Sequence, residues 1–154
     1  MTKPLYSAQA QSLDGSLTWE ITIPRFRFTI TQKRKSIIPI LFHIKNNSDT
    51  RLMVRTELRS LSRLLRFLSL TTTAFGKTRA KQERETPTSV VEHNISPHQA
   101  IQFKINARFH PHLSFSPLTH INLEYVVSAF DKKGKIITHS DPYQILIPLP
   151  KHKQ

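Results

Sequence analysis

The sequence contains no cysteine and only three glycines among its 154 residues. The absence of cysteine excludes disulfide bonds, thiolate metal sites and a cysteine nucleophile, but it leaves the redox compartment open, because a protein without cysteine can fold in any compartment. The glycines, Gly15, Gly76 and Gly134, are isolated from one another. The chain therefore lacks the glycine-rich loop with which P-loop and dinucleotide-binding proteins hold phosphate groups.

Long apolar runs are also absent. No stretch approaches the roughly 20 apolar residues of a membrane-spanning helix, and residues 1–16 contain no apolar run of signal-peptide length. We therefore expect no transmembrane segment and a cytoplasmic location, unless the mature form has already lost a leader. The length suffices for one stable core. We expect a single domain over 15–150, a loosely ordered arm or late-pairing edge strand over 1–14, and a basic tail over 151–154.

Acidic residues are scarce, since 10 aspartates and glutamates stand against 23 lysines and arginines, and the formal net charge is +13. Such a charge favours nucleic acid, anionic lipid or an acidic protein surface as a partner. Nine basic residues lie between positions 51 and 84, where the only acids are Glu57 and Glu83. More than half of the net charge is therefore concentrated in this part of the chain.

Alternation of apolar and polar residues is the strongest pattern that the sequence does contain. Between 101 and 109 every odd position is apolar and every even position is polar, which predicts a strand with one buried face. The turn DKKGK is expected to place Gly134 at a positive φ, and a second turn is expected at Asn46 to Asp49. The other predicted strands span about 17–23, 37–44, 51–56, 70–75, 90–95, 121–130, 136–139 and 143–148.

Residues 57–68 break this alternation. On a helix, five leucines of the segment fall within an arc of about 120°, and the arginines lie on the opposite side. As a strand, neither face would be consistently apolar. We therefore predict one short amphipathic helix inserted near residues 57–68 and a polar loop over 76–89, in an otherwise all-β, two-sheet antiparallel β-sandwich.

Two short segments resemble a known type of module. The predicted strand that begins near residue 38 ends in Asn-Asn-Ser, and residues 95–97, Ile-Ser-Pro, precede the alternating strand with its Phe-Lys-Ile. This resembles the immunoglobulin-like β-sandwich modules of many bacterial proteins, in which a strand ends in N-x-S and an I-x-P-G turn precedes an F-x-I strand. The resemblance covers about 37–54 and 90–130, with His98 in place of the turn glycine. It implies an immunoglobulin-like fold and a binding or packing role.

Catalytic and metal-binding groups are poorly supported. His110, His112 and His120 lie close in the sequence, but a fourth ligand is undefined and thiolates are absent, so we predict no metal and no cofactor. Residues 139–141, His-Ser-Asp, are adjacent in the sequence. Adjacency does not create a catalytic triad, because consecutive strand residues point to opposite faces. We predict that the protein is not an enzyme.

The arginine-rich segment is the best candidate for a contact surface, because arginine forms planar bidentate contacts with carboxylates and phosphates. We predict a non-catalytic binding or assembly module that contacts an acidic protein through this insertion. Nucleic acid is the alternative partner, with Phe67 exposed for base stacking, and a solvated face without a partner stays open. An edge strand also offers a route to a homo-oligomer. The predicted contact residues are Arg55, Arg59, Arg63, Arg66, Phe67, Lys77, Arg79 and Lys81.

Overall fold

The computed structural model describes residues 3–25, 37–61, 65–75, 78–109 and 120–148, with the backbone alone for 69–75, 78–85 and 109. Every regular element in these ranges is a β-strand. None of their residues forms a helix long and apolar enough to cross a membrane. In chain order the strands are β1 (Tyr6–Gln11), β2 (Leu17–Ile23), β3 (Ile37–Asn46), β4 (Leu52–Ser60), β5 (Leu65–Phe75), β6 (Thr78–Thr86), β7 (Thr88–Ile95), β8 (Ala100–Phe109), β9 (His120–Phe130), β10 (Ile136–His139) and β11 (Tyr143–Pro148).

The strands form two antiparallel sheets, termed sheet A and sheet B. Sheet A has the strand order β1-β2-β3-β8-β5-β6, and sheet B has the order β10-β9-β4-β7, with β11 also paired to β9. Apolar side chains from both sheets form one buried core between them. The prediction of a two-sheet antiparallel β-sandwich is therefore confirmed.

Aromatic side chains join the two sheets inside the core. Trp19 of β2 donates a hydrogen bond from Nε1 to the hydroxyl oxygen of Tyr125 of β9 over 2.9 Å. The ring of Phe42 in β3 meets Tyr125 edge to face, with the centroids 5.8 Å apart. Burial raises the pKa of Tyr125 to about 12, against the smaller opposing effect of the Trp19 hydrogen bond.

The alternation in β8 is confirmed, and its burial changes along the strand. Ala107 and Ile105 are 0% and 3% exposed, whereas Phe103 and Ile101, which point to the same side, are only half-buried. β8 pairs with β3 along its whole length except for its last residue. It pairs with β5 only between residues 106 and 109. Both half-buried residues therefore lie in the part of β8 that is not paired with β5.

Two turns at one end of the sandwich are tied together by Asn46, which is fully buried. Its Nδ2 donates to the carbonyl oxygens of Thr50 and Ile95 over 2.8 and 3.0 Å. Its Oδ1 accepts a hydrogen bond from the backbone N–H of Ser48 over 2.9 Å. The β3–β4 turn is therefore fixed to the turn between β7 and β8. In the latter turn, His98 has a φ of +59°.

The predicted helix at residues 57–68 is wrong. Its first residues belong to β4 and its last residues to β5, while 62–64 lie outside the described residues. The buried positions are even-numbered at the end of β4, as at Leu58, and odd-numbered at the start of β5, as at Leu65. This change of phase between two strands produced a leucine spacing that matches one face of a helix.

The predicted loop at 76–89 is also wrong, since β6 and the start of β7 occupy most of it. Beyond residue 68, β5 leaves β8 and pairs with β6 alone, so residues 69–75 and 78–84 form a two-stranded ribbon. At the N-terminus, β1 pairs with β2 over its full length. β1 is therefore an edge strand of sheet A. The tail at 151–154 lies outside the described residues. The hairpin turn between β9 and β10 has Gly134 at a φ of +81°, as predicted.

Candidate binding surface

The structure separates the predicted contact residues. Arg55 and Arg59 of β4 lie on the outer face of sheet B, and Arg66 of β5 lies on the outer face of sheet A, because each alternates with buried neighbours. Phe67 is 1% exposed and belongs to the core, so the prediction that it is exposed for stacking is wrong. Of the remaining predicted residues, Arg63 and Lys77 lie outside the described part, and Arg79 and Lys81 lie in β6, where only the backbone is described.

On sheet B, both arginines form cross-strand ion pairs. Arg55 Nη2 lies 3.0 Å from Glu92 Oε1, and its guanidinium lies 4.6 Å from the ring centroid of Phe130. Arg59 donates from Nε and Nη2 to Glu124 Oε1 over 3.1 and 2.6 Å. The nearby carboxylates therefore balance the charge of these two arginines. The outward side chains of the sheet B strands include these two basic residues and three acidic ones, Glu57, Glu92 and Glu124.

The described side chains on the outer face of sheet A are mostly basic where they are charged. Among the residues of β1, β2, β3, β5 and β8 whose side chains are described, four basic side chains and one acidic side chain point outward. Arg66 and Arg108 are register partners on β5 and β8, which concentrates positive charge at that end of the face. The basic residues are Lys45, Arg66, Lys104 and Arg108, and the acidic residue is Glu20.

A shallow concavity of about 580 Å³ lies on this outer face, with Glu20 and His43 on one side and Lys104 on the other. Leu41 and Gln102 also line it. Small-molecule sites usually enclose most of their ligand, whereas this concavity is open along the sheet. Apart from His43, no described side chain on the outer face of sheet A is aromatic. The surface therefore suits ionic and hydrogen-bonding contacts with an extended partner better than base stacking.

Ser140, one of the residues weighed for catalysis, has structural contacts. Ser140 is 2% exposed. Its Oγ accepts a hydrogen bond from the backbone N–H of Val127 over 3.0 Å, and its own N–H donates to the Val127 carbonyl over 2.8 Å. Ser140 therefore fixes the chain after β10 to β9. Within the described ranges, no three His, Cys, Asp or Glu residues are grouped so that they could hold a metal ion. His110 and His112 lie outside those ranges.

Sequence reasoning missed the basic face, although part of the signal was present. Lys104 and Arg108 occupy even positions of the alternating segment, which already predicts that they point to solvent. The missing information was the strand order. β8 lies between β3 and β5, and this order brings Lys45 and Arg66 onto the same face.

Comparison with protein-family models and with curated proteins finds no match for this chain. Among solved structures, the chain is similar to a FixG-related protein from Vibrio parahaemolyticus. The two have 7% sequence identity and a TM-score of 0.45, and the similarity covers 87% of this chain and 93% of the other. The fold described above therefore rests on the strands and pairing of this chain itself.

Proposed function

We propose that the protein is a non-catalytic binding module that contacts an acidic protein surface through the outer face of sheet A. The observation that carries this proposal is the unequal charge of the two outer faces. Among the strand residues whose side chains are described, the outer face of sheet A has four basic residues and one acid, whereas that of sheet B has two basic residues and three acids. Guanidinium groups such as that of Arg66 favour carboxylates because they can form two parallel hydrogen bonds.

Nucleic acid is the second candidate partner. It is favoured by the net charge of +13 and by the two-stranded ribbon of residues 69–75 and 78–84, because the major groove of DNA admits such a ribbon. The lack of exposed six-membered aromatic rings on the described face of sheet A weighs against a single strand, which is usually bound by stacking. We therefore rank an acidic protein first.

We also propose that the sandwich is immunoglobulin-like. The two segments that carry the resemblance are in contact, since Asn46 Nδ2 donates to the carbonyl oxygens of Ile95 and Ser96 over 3.0 and 3.3 Å. His98 has the positive φ that the turn glycine of such modules would adopt. Both observations support the fold-level resemblance alone, because sandwiches of this kind serve many functions.

The test compares two charge reversals of equal size. The double variant Lys45→Glu with Lys104→Glu changes the basic face, and Lys132→Glu with Lys133→Glu changes the exposed β9–β10 turn. The probes are polyglutamate and a short DNA duplex, measured by fluorescence anisotropy at graded salt. We expect the first variant to lose polyglutamate binding and the second to retain it, with equal urea midpoints for both.

Two results would contradict this proposal. If both variants bind polyglutamate equally well, the outer face of sheet A is not the contact surface. If duplex binds more tightly than polyglutamate, and its log–log salt slope is about −0.9 per phosphate neutralised, nucleic acid becomes the first candidate. Four phosphate contacts would give a slope of about −3.6.

A further inference from the structure

One edge of β8 is only partly covered. β5 pairs with β8 from Leu65↔Phe109 to Leu68↔Asn106 and then departs as part of the ribbon. β8 nevertheless continues to residue 100 and stays paired with β3 on its other side. Within the described ranges, no strand pairs with residues 100–105 on the β5 side. Such an edge presents backbone N–H and C=O groups to which a further strand can pair.

The core is open to solvent beside this edge. Phe103 of β8 stacks on Phe42 with a centroid distance of 5.2 Å and on His93 of β7 at 4.5 Å. Phe42 is 1% exposed, but Phe103 and His93 are only half-buried. Burial nevertheless suffices to lower the pKa of His93. These rings therefore lie at the boundary of the core, where one more strand would cover them.

A cleft of about 260 Å³ marks the place at which β5 leaves the sheet. Leu68, Val91 and Ile105 give it apolar walls, Val90 lines it while 58% exposed, and Lys104 contributes a cation. The cleft thus combines apolar surface toward the core with positive charge toward the outer face of sheet A. A bound strand would need apolar side chains toward the core that alternate with acidic side chains toward Lys104.

We propose that an extended segment of the acidic partner pairs with residues 100–105 of β8 and extends the coverage that β5 begins. This inference rests on the proposed function, because it specifies how the acidic partner is held. Alternate side chains of the added strand would cover Phe103 and Ile101, and those between them would lie beside Lys104. The segment that fits therefore alternates apolar residues with Asp or Glu over about six positions.

Charge argues against a second copy of this chain as the occupant. The outward side of β8 carries Lys104 and Arg108 and no acidic residue. Pairing two β8 edges would bring like charges from two copies onto one face, which destabilises a sheet. An acidic segment brings the opposite charge to the same position.

The experiment uses three capped peptides of about eight residues, enough to span 100–105 with a residue to spare at each end. The first alternates Val and Glu, the second has the same composition in two blocks, and the third alternates Val and Lys. Affinity is measured by isothermal titration calorimetry, and amide hydrogen exchange of the protein locates the site. We expect the alternating acidic peptide to protect amides within 100–105 and the other two to bind at least about tenfold more weakly.

Two controls separate backbone pairing from charge. N-methylation of alternate residues along one edge of the acidic peptide should abolish binding, because it removes the donors that a strand requires. The variant Lys104→Glu should weaken the acidic peptide about tenfold and improve binding of the lysine peptide. Lys133→Glu, which makes the same change of charge in the β9–β10 turn, should alter neither.

The outcomes distinguish this inference from the function on which it rests. Equal binding of both acidic peptides without protection at 100–105 would overturn strand pairing, while binding by the basic face would stand. Failure of every acidic peptide and of polyglutamate would overturn both proposals. Protection at 100–105 that appears on raising the protein concentration alone would assign the edge to a second copy and overturn the inference.

Discussion

The hydrogen bond from Trp19 to Tyr125 provides the sharpest test of the core, because it joins sheet A to sheet B. Trp19 is 3% exposed and Tyr125 is 2% exposed, and the hydrogen bond between them is 2.9 Å long. Tyr125→Phe keeps the aromatic ring but removes the acceptor, so the indole N–H stays buried without this partner. A buried donor left in this way costs about 1–3 kcal/mol. We expect the free energy of unfolding to fall by about 2 kcal/mol.

The assay is a urea titration followed by the fluorescence of Trp19, the single tryptophan of the chain. Tyr143→Phe is the matched control, because its ring stacks on Tyr125 with a centroid distance of 5.4 Å while the Trp19 bond goes to Tyr125. The control should change the free energy of unfolding by no more than about 0.5 kcal/mol. Equal losses for the two variants, or no loss for Tyr125→Phe, would refute the reasoning.

The ionisation of Tyr125 at alkaline pH provides a second test of the same contact. Burial raises the pKa of Tyr125 from 10.0 to about 12, so the folded protein holds this proton more tightly than the unfolded chain. The stability that results is present below pH 10 and is lost as the pH rises toward 12. Burial also raises the pKa of Tyr6, so tyrosinate absorbance should show two delayed ionisations in the native protein, and the later of the two should be missing in Tyr125→Phe.

Three further predictions concern the turns. Asn46→Asp should lower the free energy of unfolding in urea by about 2–4 kcal/mol, because a buried carboxylate cannot donate to the carbonyl groups that Asn46 holds; Asn94→Asp, at an exposed position, should change it little. Burial would raise the pKa of Asp14, but hydrogen bonds from nearby hydroxyl and backbone groups outweigh it and hold the pKa well below 3.8. The stabilisation that the Asp14 carboxylate provides is therefore present above about pH 4 and is lost as the pH falls. Asp14→Asn should make Tm less dependent on acid pH. At pH 7 this variant should lower the free energy of unfolding by only about 1 kcal/mol, because the carboxylate is exposed. His98→Gly should raise the free energy of unfolding by up to about 1 kcal/mol, because glycine adopts a positive φ without steric cost. The variant also removes the contact between His98 and Asp49, but that contact is exposed and contributes little. A lower Tm for the variant would contradict this prediction.

Alternation predicts a strand from sequence when one of its faces lies in the core. β8 and β9 satisfy this condition, and so does β11, which is predicted with correct bounds. The bounds of β10 are also predicted correctly, although Thr138 is the one buried residue of its four. β6 does not satisfy the condition, because its sequence TRAKQERET is polar at nearly every position and its pairing depends on the backbone of β5. The segment 57–68 fails for another reason, since two strands of opposite phase imitate a helical spacing.

The proposed contact surface is less predictable, because charges close in sequence need not share a face. Arg59 and Arg66 are seven positions apart, yet they lie on opposite outer faces of the sandwich. The carboxylates that balance Arg55 and Arg59 come from Glu92 and Glu124, which are 37 and 65 positions away. Only the strand order shows that the arginines of β4 lie beside carboxylates and that basic residues of β3, β5 and β8 share the outer face of sheet A.

The central position of β8 has a consequence for how the chain reaches its fold. In the part of the chain that the structure describes, β8 alone connects β1-β2-β3 to β5-β6 within sheet A, and Ile37 pairs with Arg108, 71 positions later. During synthesis, the two parts of sheet A therefore cannot join, and their edges stay unpaired, until residue 109 has left the ribosome. Pairing over such separations is slow, and all-β domains of this kind fold in milliseconds to seconds. We expect the nascent chain to be most prone to aggregation during this interval, when the edges of β3 and β5 both lack their common neighbour.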